Sequence, residues 1–173
     1  MQERSGIIKM NGDPLTLLGP EIRIGDKAPE FQSVNTDLQP IGLKDLQQKI
    51  LVLSSVPSLD TSVCDMETRR FNNEATNLSS DIAIVTISMD LPFAQKRWCG
   101  ATGVDRVLTL SDYQQASFGH SYGLLIKELR LLTRAVLILD KQRIVQYIQL
   151  VPELTQEPEY ESILNKANDL LSE

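Results

Sequence analysis

Cysteine and histidine are scarce in this chain of 173 residues, which has two of the first and one of the second. Two cysteines cannot form the disulfide framework that is typical of small secreted proteins. With His120 as the single histidine, they also cannot complete a structural zinc site. Cys64 and Cys99 lie 35 positions apart and form no Cys-x-x-Cys pair. They are therefore either inert core residues or a redox pair.

The sequence also lacks long apolar runs and an excess of basic residues. Apolar stretches such as Ile50 to Val56 are far shorter than the roughly 20 residues that span a bilayer. The 17 Lys and Arg stand against 23 Asp and Glu, and nucleic-acid binding needs clustered cations. Met1 to Ser5 show neither the apolar core nor the cleavage-like site of a secretion signal. We expect a cytoplasmic protein with no membrane and no nucleic-acid partner.

Length and composition are those of an ordinary globular protein. Hydrophobic residues make up 42% of the chain and charged residues 23%, so a sizeable apolar core can form. A length of 173 residues fits one domain, and no internal repeat or low-complexity segment divides it. We therefore expect a single domain over residues 1–173.

Strand-like and helix-like apolar segments alternate along the chain. Asn11-Gly12 favours positive φ at both positions of a two-residue turn and predicts an N-terminal β-hairpin. Further strands are predicted near Leu38 to Leu46, Ile50 to Val56, Asp81 to Met89, Val107 to Leu110, Arg134 to Leu139 and Ile144 to Gln149. Helices are predicted from Ser62, over Leu91 to Trp98, over Gln114 to Tyr122 and from Pro158. This order predicts an α/β, thioredoxin-like fold in which helices flank a mixed central sheet.

Cys64 lies near a predicted helix start. Thr61 is a good N-cap, and if it caps the helix, Cys64 occupies the third helical position. The amides of the first turn have no partner within the helix, and the helix dipole is positive there, so both favour an anion. A thiolate at this position is a plausible nucleophile. The alternative is that Cys64 is a small apolar residue and Thr61 only a cap.

The string Pro57-Ser58-Leu59-Asp60-Thr61-Ser62-Val63-Cys64 resembles the Pro-x-x-x-Thr-x-x-Cys motif of peroxiredoxins and matches it at every fixed position. The resemblance extends from roughly Ile7 to Leu171. It is closest to the bacterial thiol peroxidase branch, whose atypical two-cysteine members keep both cysteines in one chain. The segments that carry it are Arg69-Arg70-Phe71-Asn72, Asp90-Leu91-Pro92-Phe93-Ala94-Gln95, Lys96-Arg97-Trp98-Cys99-Gly100, Leu110-Ser111-Asp112 and Thr133-Arg134-Ala135-Val136.

The resemblance implies a role for each of five residues. Cys64 corresponds to the peroxidatic cysteine and Cys99 to the resolving cysteine. Thr61 corresponds to the hydroxyl that orients the peroxide, and Pro57 to the residue that shields the sulfur. Arg134 corresponds to the active-site arginine, since a guanidinium near sulfur stabilises a thiolate and can donate to a peroxide oxygen. A surface cation at a strand end is the alternative for Arg134.

The resemblance also implies a reaction and its partners. Cys64 attacks hydrogen peroxide or an organic hydroperoxide and becomes a sulfenic acid, which Cys99 converts to an intramolecular disulfide. Thioredoxin is the expected reductant, and the family suggests a homodimer. No metal, haem or flavin is needed, so we expect no cofactor. The rival hypotheses are a disulfide oxidoreductase or redox sensor on the same fold, and a non-catalytic interaction protein.

Disulfide geometry adds an expectation about motion. Closure of a disulfide needs Cα atoms within about 7 Å, and two helical cysteines at a sheet edge are expected to lie farther apart when reduced. The first turn after Thr61 and the segment around Cys99 are therefore predicted to unwind on oxidation. Trp98 is expected to report the redox state, and Leu91 and Phe93 form either an apolar rim for organic hydroperoxides or simple hydrophobic contacts.

Overall fold

A computed structural model describes all 173 residues. Its ten strands are β1 (Glu3–Met10), β2 (Asp13–Leu18), β3 (Gln32–Val34), β4 (Pro40–Gly42), β5 (Ile50–Ser55), β6 (Ile82–Ser88), β7 (Leu108–Ser111), β8 (Leu125–Ile126), β9 (Ala135–Leu139) and β10 (Val145–Leu150). Its helices are α1 (Ser62–Ala75), α2 (Pro92–Thr102), α3 (Ser117–Ser121) and α4 (Tyr160–Ser172), with a 3-10 turn at Leu43–Asp45. No helix has both the length and the apolar character needed to cross a membrane.

Seven strands form the central sheet in the order β10-β9-β5-β6-β7-β3-β4. The pairs β5·β6 and β6·β7 are parallel, and the other pairs are antiparallel. All six residues of β5 are buried, as expected for a strand covered on both faces. Helices lie on the faces of this mixed sheet, so the predicted thioredoxin-like α/β fold is confirmed.

Alternating side chains of the central strands point to opposite faces of the sheet and belong to two separate hydrophobic cores. One core joins Leu51 and Leu53 of β5 to the aromatic residues Phe118 and Tyr122 at α3. The other core is built from β5, β6 and β9 together with side chains of α1, α2 and α4, among them Phe71, Trp98 and Ile163. Because Cys64 belongs to this second core and Cys99 packs against it, both cysteines lie on the same face of the sheet.

The predicted N-terminal hairpin is confirmed, with Asn11 at φ 52° and Gly12 at φ 87° in its turn. Its second strand also pairs with β8, which gives a small three-stranded sheet that the sequence did not predict. The carboxylate of Glu153 accepts hydrogen bonds from the amides of Asn11 and Gly12 at 2.9 and 3.2 Å. The hairpin is thereby fixed to the loop that follows β10.

Helices α1 and α3 differ from the prediction in detail, and α2 continues beyond the predicted Trp98 to Thr102. The apolar residues of α1 predict a buried face of Val63, Met66, Phe71, Ala75 and Leu78, whereas the structure buries Cys64, Glu67, Thr68 and Phe71. Met66 is 48% exposed, because the buried face is turned toward an ion pair described below. Helix α3 spans only Ser117–Ser121, since Ala116 at φ 51° interrupts the helical backbone before it.

Candidate active site

Cys64 lies in the first turn of α1, just beyond the end of β5. Thr61 has extended backbone angles and caps the helix, as the sequence predicts. Its hydroxyl accepts from the Cys64 amide at 3.4 Å and donates to the Ser58 carbonyl at 3.0 Å. Pro57 is buried at the start of the intervening loop. The loop and its cap therefore hold the Cys64 backbone at the positive end of the helix dipole.

Arg134 brings a buried cation to the Cys64 sulfur. Its Nη2 donates to Cys64 Sγ at 3.3 Å, and both residues are almost fully buried. The antiparallel register of β9 on β5 pairs Ala135 with Ser55, so Arg134 lies beside the end of the strand that leads to Cys64. The surface-cation alternative for Arg134 is wrong. The guanidinium is permanently charged, so a positive charge lies directly beside the sulfur.

Glu67 is a member of this site that sequence reasoning missed. Its Oε2 accepts from Arg134 Nη1 at 2.6 Å, and its Oε1 accepts from the Ser54 hydroxyl at 2.8 Å. Burial raises the pKa of Glu67, and the Arg134 guanidinium opposes that rise. Burial alone would lower the pKa of Arg134, but Glu67 and Cys64 more than offset it and leave the pKa raised. Glu67 therefore holds the guanidinium in place beside the sulfur.

The remaining donors of Arg134 fix its orientation. Nε and Nη2 both donate to the Leu154 carbonyl, at 3.1 and 3.0 Å. Leu154 in turn bonds through its amide to the Lys9 carbonyl in the hairpin. The guanidinium is thus held by a carboxylate on one side and a main-chain carbonyl on the other. One hydrogen of Nη2 points to the Leu154 carbonyl, and the other is thereby directed at the sulfur.

Cys99 lies in the last turn of α2 and is partly buried. Its Sγ is 3.6 Å from the hydroxyl of Thr109 on β7. Both cysteines are free thiols in this structure, and each is held within a regular helix. That the first turn of α1 and the segment around Cys99 unwind when the two cysteines form a disulfide remains a prediction from the geometry of the S–S bond.

Asp90 connects the loop before Cys64 to the start of α2. Its carboxylate accepts from the Ser58 hydroxyl at 2.6 Å, the Leu59 amide at 2.8 Å and the Ser88 hydroxyl at 2.7 Å. The Ser88 hydroxyl also accepts from the Gln95 side chain on α2 at 3.0 Å. In the sequence, the stretch around Asp90 stands out only by family resemblance. Its contacts could not be predicted, because the loop that Asp90 binds lies about 30 positions earlier in the chain.

We expect Asp90→Ala to lower the free energy of unfolding by about 2 kcal/mol, because three donors lose their acceptor. Equilibrium unfolding in urea measures this loss. Asp37→Ala is the matched control, since that exposed carboxylate pairs only with the exposed Lys96 and its loss should leave stability unchanged. Equal stability of the two variants would show that Asp90 is not a structural clamp.

Comparison with known proteins places this site in a family. The sequence profile described as Redoxin matches residues 23–164, which include Cys64, Cys99 and Arg134. The thiol peroxidase of Oceanobacillus iheyensis is 51% identical over 161 residues, which cover 93% of this chain and 98% of that protein. The chain belongs to the thiol peroxidase branch of the redoxin family. This confirms the resemblance inferred from the sequence.

Further relatives support the same placement of this redoxin. The thiol peroxidase of Bacillus subtilis is 48% identical over 164 residues, with 95% of this chain and 98% of that protein covered. Among solved structures, a peroxiredoxin-like protein from Aquifex aeolicus has a TM-score of 0.89 at 40% identity. That match covers 96% of this chain and 97% of the other. Fold and family therefore agree along nearly the whole redoxin chain.

His120, the only histidine of the chain, has no place in this site. It lies in α3, which packs against the core on the Phe118 side of the sheet, whereas Cys64 belongs to the other core. The site therefore draws its chemistry from sulfur, a guanidinium and a carboxylate, without an imidazole.

Proposed function

We propose that this redoxin is a thiol-dependent peroxidase that reduces hydrogen peroxide and organic hydroperoxides to water or alcohols. The observation that carries the proposal is the contact of 3.3 Å between Arg134 Nη2 and Cys64 Sγ at the start of a capped helix. A cation and helix amides favour the thiolate, which is the reactive form of cysteine. Membership of the thiol peroxidase branch directs this nucleophile toward the O–O bond.

In the first step, the Cys64 thiolate attacks one peroxide oxygen. A sulfur–oxygen bond forms, the O–O bond breaks, and the leaving oxygen takes up a proton to give water or an alcohol. Arg134 stabilises the developing negative charge, because its guanidinium is charged and already oriented by Glu67 and Leu154. Thr61 has an exposed side chain at the loop and is proposed to orient the incoming peroxide, while Pro57 shields the sulfur from water.

In the second step, the Cys99 thiol attacks the sulfenic sulfur of Cys64. A disulfide forms and water leaves. Thioredoxin then reduces the disulfide by thiol exchange, which regenerates both cysteines and oxidises the thioredoxin dithiol. The common face of the sheet shared by the two cysteines supports this pairing within one chain. No cofactor takes part in either step.

A homodimer and a cytoplasmic location complete the proposal. Leu91 and Phe93 at the start of α2 are 51% and 67% exposed, which is consistent with either a subunit interface or an apolar substrate rim. A cytoplasmic location supplies the thioredoxin that reduces the disulfide. It also suits a protein with two free thiols. Light scattering on the purified protein tests the dimer.

The function is tested with the reduced protein, thioredoxin, thioredoxin reductase, NADPH and hydrogen peroxide. We expect NADPH to be consumed over many turnovers, and mass spectrometry to find a Cys64–Cys99 disulfide after peroxide treatment without thioredoxin. A redox sensor would form the disulfide but consume NADPH slowly, at the rate of the uncatalysed reaction. An interaction protein would form no disulfide, and either of these outcomes would refute the peroxidase.

A further inference from the structure

A single hydrogen bond joins the two helices that carry the cysteines. The indole Nε1 of Trp98 donates to Oδ1 of Asp65 at 2.9 Å. Asp65 follows Cys64 in α1, and Trp98 precedes Cys99 in α2. The bond therefore connects the immediate neighbours of both proposed redox residues, and no step described above uses it.

The surroundings of this bond make it firm. Trp98 is only 8% exposed and packs into the core that also contains Cys64. Its indole N–H is a donor only, and when buried it needs an acceptor. Asp65 is fixed from its other side, where Oδ2 accepts from Arg69 Nε at 2.8 Å. Asp65 also belongs to the first helical turn, since its amide donates to the Thr61 carbonyl at 2.9 Å.

We infer that Asp65 and Trp98 are positioning residues that keep the two cysteine helices docked and thereby set the rate of disulfide closure. The inference rests on the proposed function. Unwinding the first turn of α1 breaks the hydrogen bond from the Asp65 amide to the Thr61 carbonyl. It also carries the Asp65 side chain away from Trp98. Unwinding α2 near Cys99 moves Trp98 instead. Either route to the disulfide breaks the Asp65–Trp98 bond.

The lifetime of the sulfenic acid follows from this restraint. In the docked state, Cys64 sulfenic acid can react with a second hydroperoxide, which yields a sulfinic acid and an alcohol or water. In the undocked state, it condenses with the Cys99 thiol and releases water. A tighter connection between the helices favours the first outcome. The Asp65–Trp98 bond therefore sets how much peroxide the enzyme tolerates before it is inactivated.

Asp65→Ala tests the inference because it removes the acceptor and keeps Trp98 as the only tryptophan. Stopped-flow fluorescence of Trp98 after one equivalent of hydrogen peroxide follows attack and then closure. We expect closure to become about three- to tenfold faster, as the loss of one hydrogen bond implies. The peroxide concentration that inactivates half of the enzyme should rise by a similar factor. The second-order rate constant of attack should stay within about twofold, because Arg134 keeps its contacts.

Two variants separate the bond from general loosening of α1. Asp65→Asn keeps a side-chain oxygen for Trp98 and should restore most of the wild-type closure rate. Arg69→Ala removes one support of the Asp65 carboxylate and leaves the Trp98 bond itself in place, so closure should accelerate much less than in Asp65→Ala. The inference is overturned if Arg69→Ala accelerates closure as much as Asp65→Ala, or if Asp65→Ala closes at the wild-type rate.

Hydrogen exchange of the reduced protein supplies a readout that does not depend on peroxide. We expect amides of the first turn of α1 to exchange about three- to tenfold faster in Asp65→Ala than in wild type. If exchange accelerates while wild type forms no Cys64–Cys99 disulfide, the proposed function fails, and of the inference only the docking of the two helices stands. If the disulfide forms and neither exchange nor closure changes, the positioning role fails and the function stands.

Discussion

Cys64→Ser is expected to remove peroxidase activity, with a loss in kcat/KM on the order of a thousandfold or more. A serine hydroxyl at this position stays protonated and cannot take oxygen from a peroxide, even with Arg134 beside it. The variant should still fold, because the side chains are similar in size and Thr61 caps the helix through the main-chain amide of residue 64. NADPH consumption in the thioredoxin-coupled assay measures the loss.

Cys99→Ser is the matched control for this prediction. It should lose turnover with thioredoxin, because the sulfenic acid of Cys64 has no partner thiol. It should nevertheless reduce one equivalent of peroxide at the wild-type rate, since the contacts of Cys64 with Arg134 and Thr61 do not involve α2. The peroxidase proposal would be wrong if wild type were no faster than Cys64→Ser. The assignment of Cys99 would be wrong if Cys99→Ser kept full turnover.

The residues around Cys64 could be predicted from the sequence because their signals are local. A cap three positions before the cysteine and a proline at the end of an apolar strand are visible within eight residues. Arg134 has no such signal and came from family resemblance alone. It lies 70 positions after Cys64, and only the pairing of β9 with β5 makes the two residues neighbours. Such long-range pairing is not encoded in any short window of sequence.

Glu67 was missed for a physical reason. Hydrophobic periodicity selects the most apolar face of a helix, and this placed Met66 inside and left Glu67 unassigned. In the structure, Glu67 lies on the buried face of α1. Arg134 lies on that side, and a buried guanidinium needs a counter-charge. The spacing of Cys64, Glu67 and Phe71 does follow a helical face. A search for polar residues at that spacing from Cys64 would have found Glu67.

Arg134→Met is the second change with a large expected effect. We expect the rate constant of Cys64 with hydrogen peroxide to fall by about a hundred- to a thousandfold, as for the loss of a preorganised donor at a reacting centre. The substitution removes the charge 3.3 Å from the sulfur and also leaves Glu67 buried without its partner. The second effect should lower the free energy of unfolding by about 3–5 kcal/mol, so rate and stability must be measured together.

Glu67→Gln separates these two effects. In the double variant Arg134→Met/Glu67→Gln, the neutral amide can still accept from Ser54, so much of the lost stability should return. The rate with peroxide should stay low, because no cation faces Cys64. Glu67→Gln alone should keep Arg134 near the sulfur and lower the rate only about tenfold, through a less firmly held guanidinium. If the double variant recovers the rate along with the stability, Arg134 supports the fold of the site rather than the charge of the reacting sulfur.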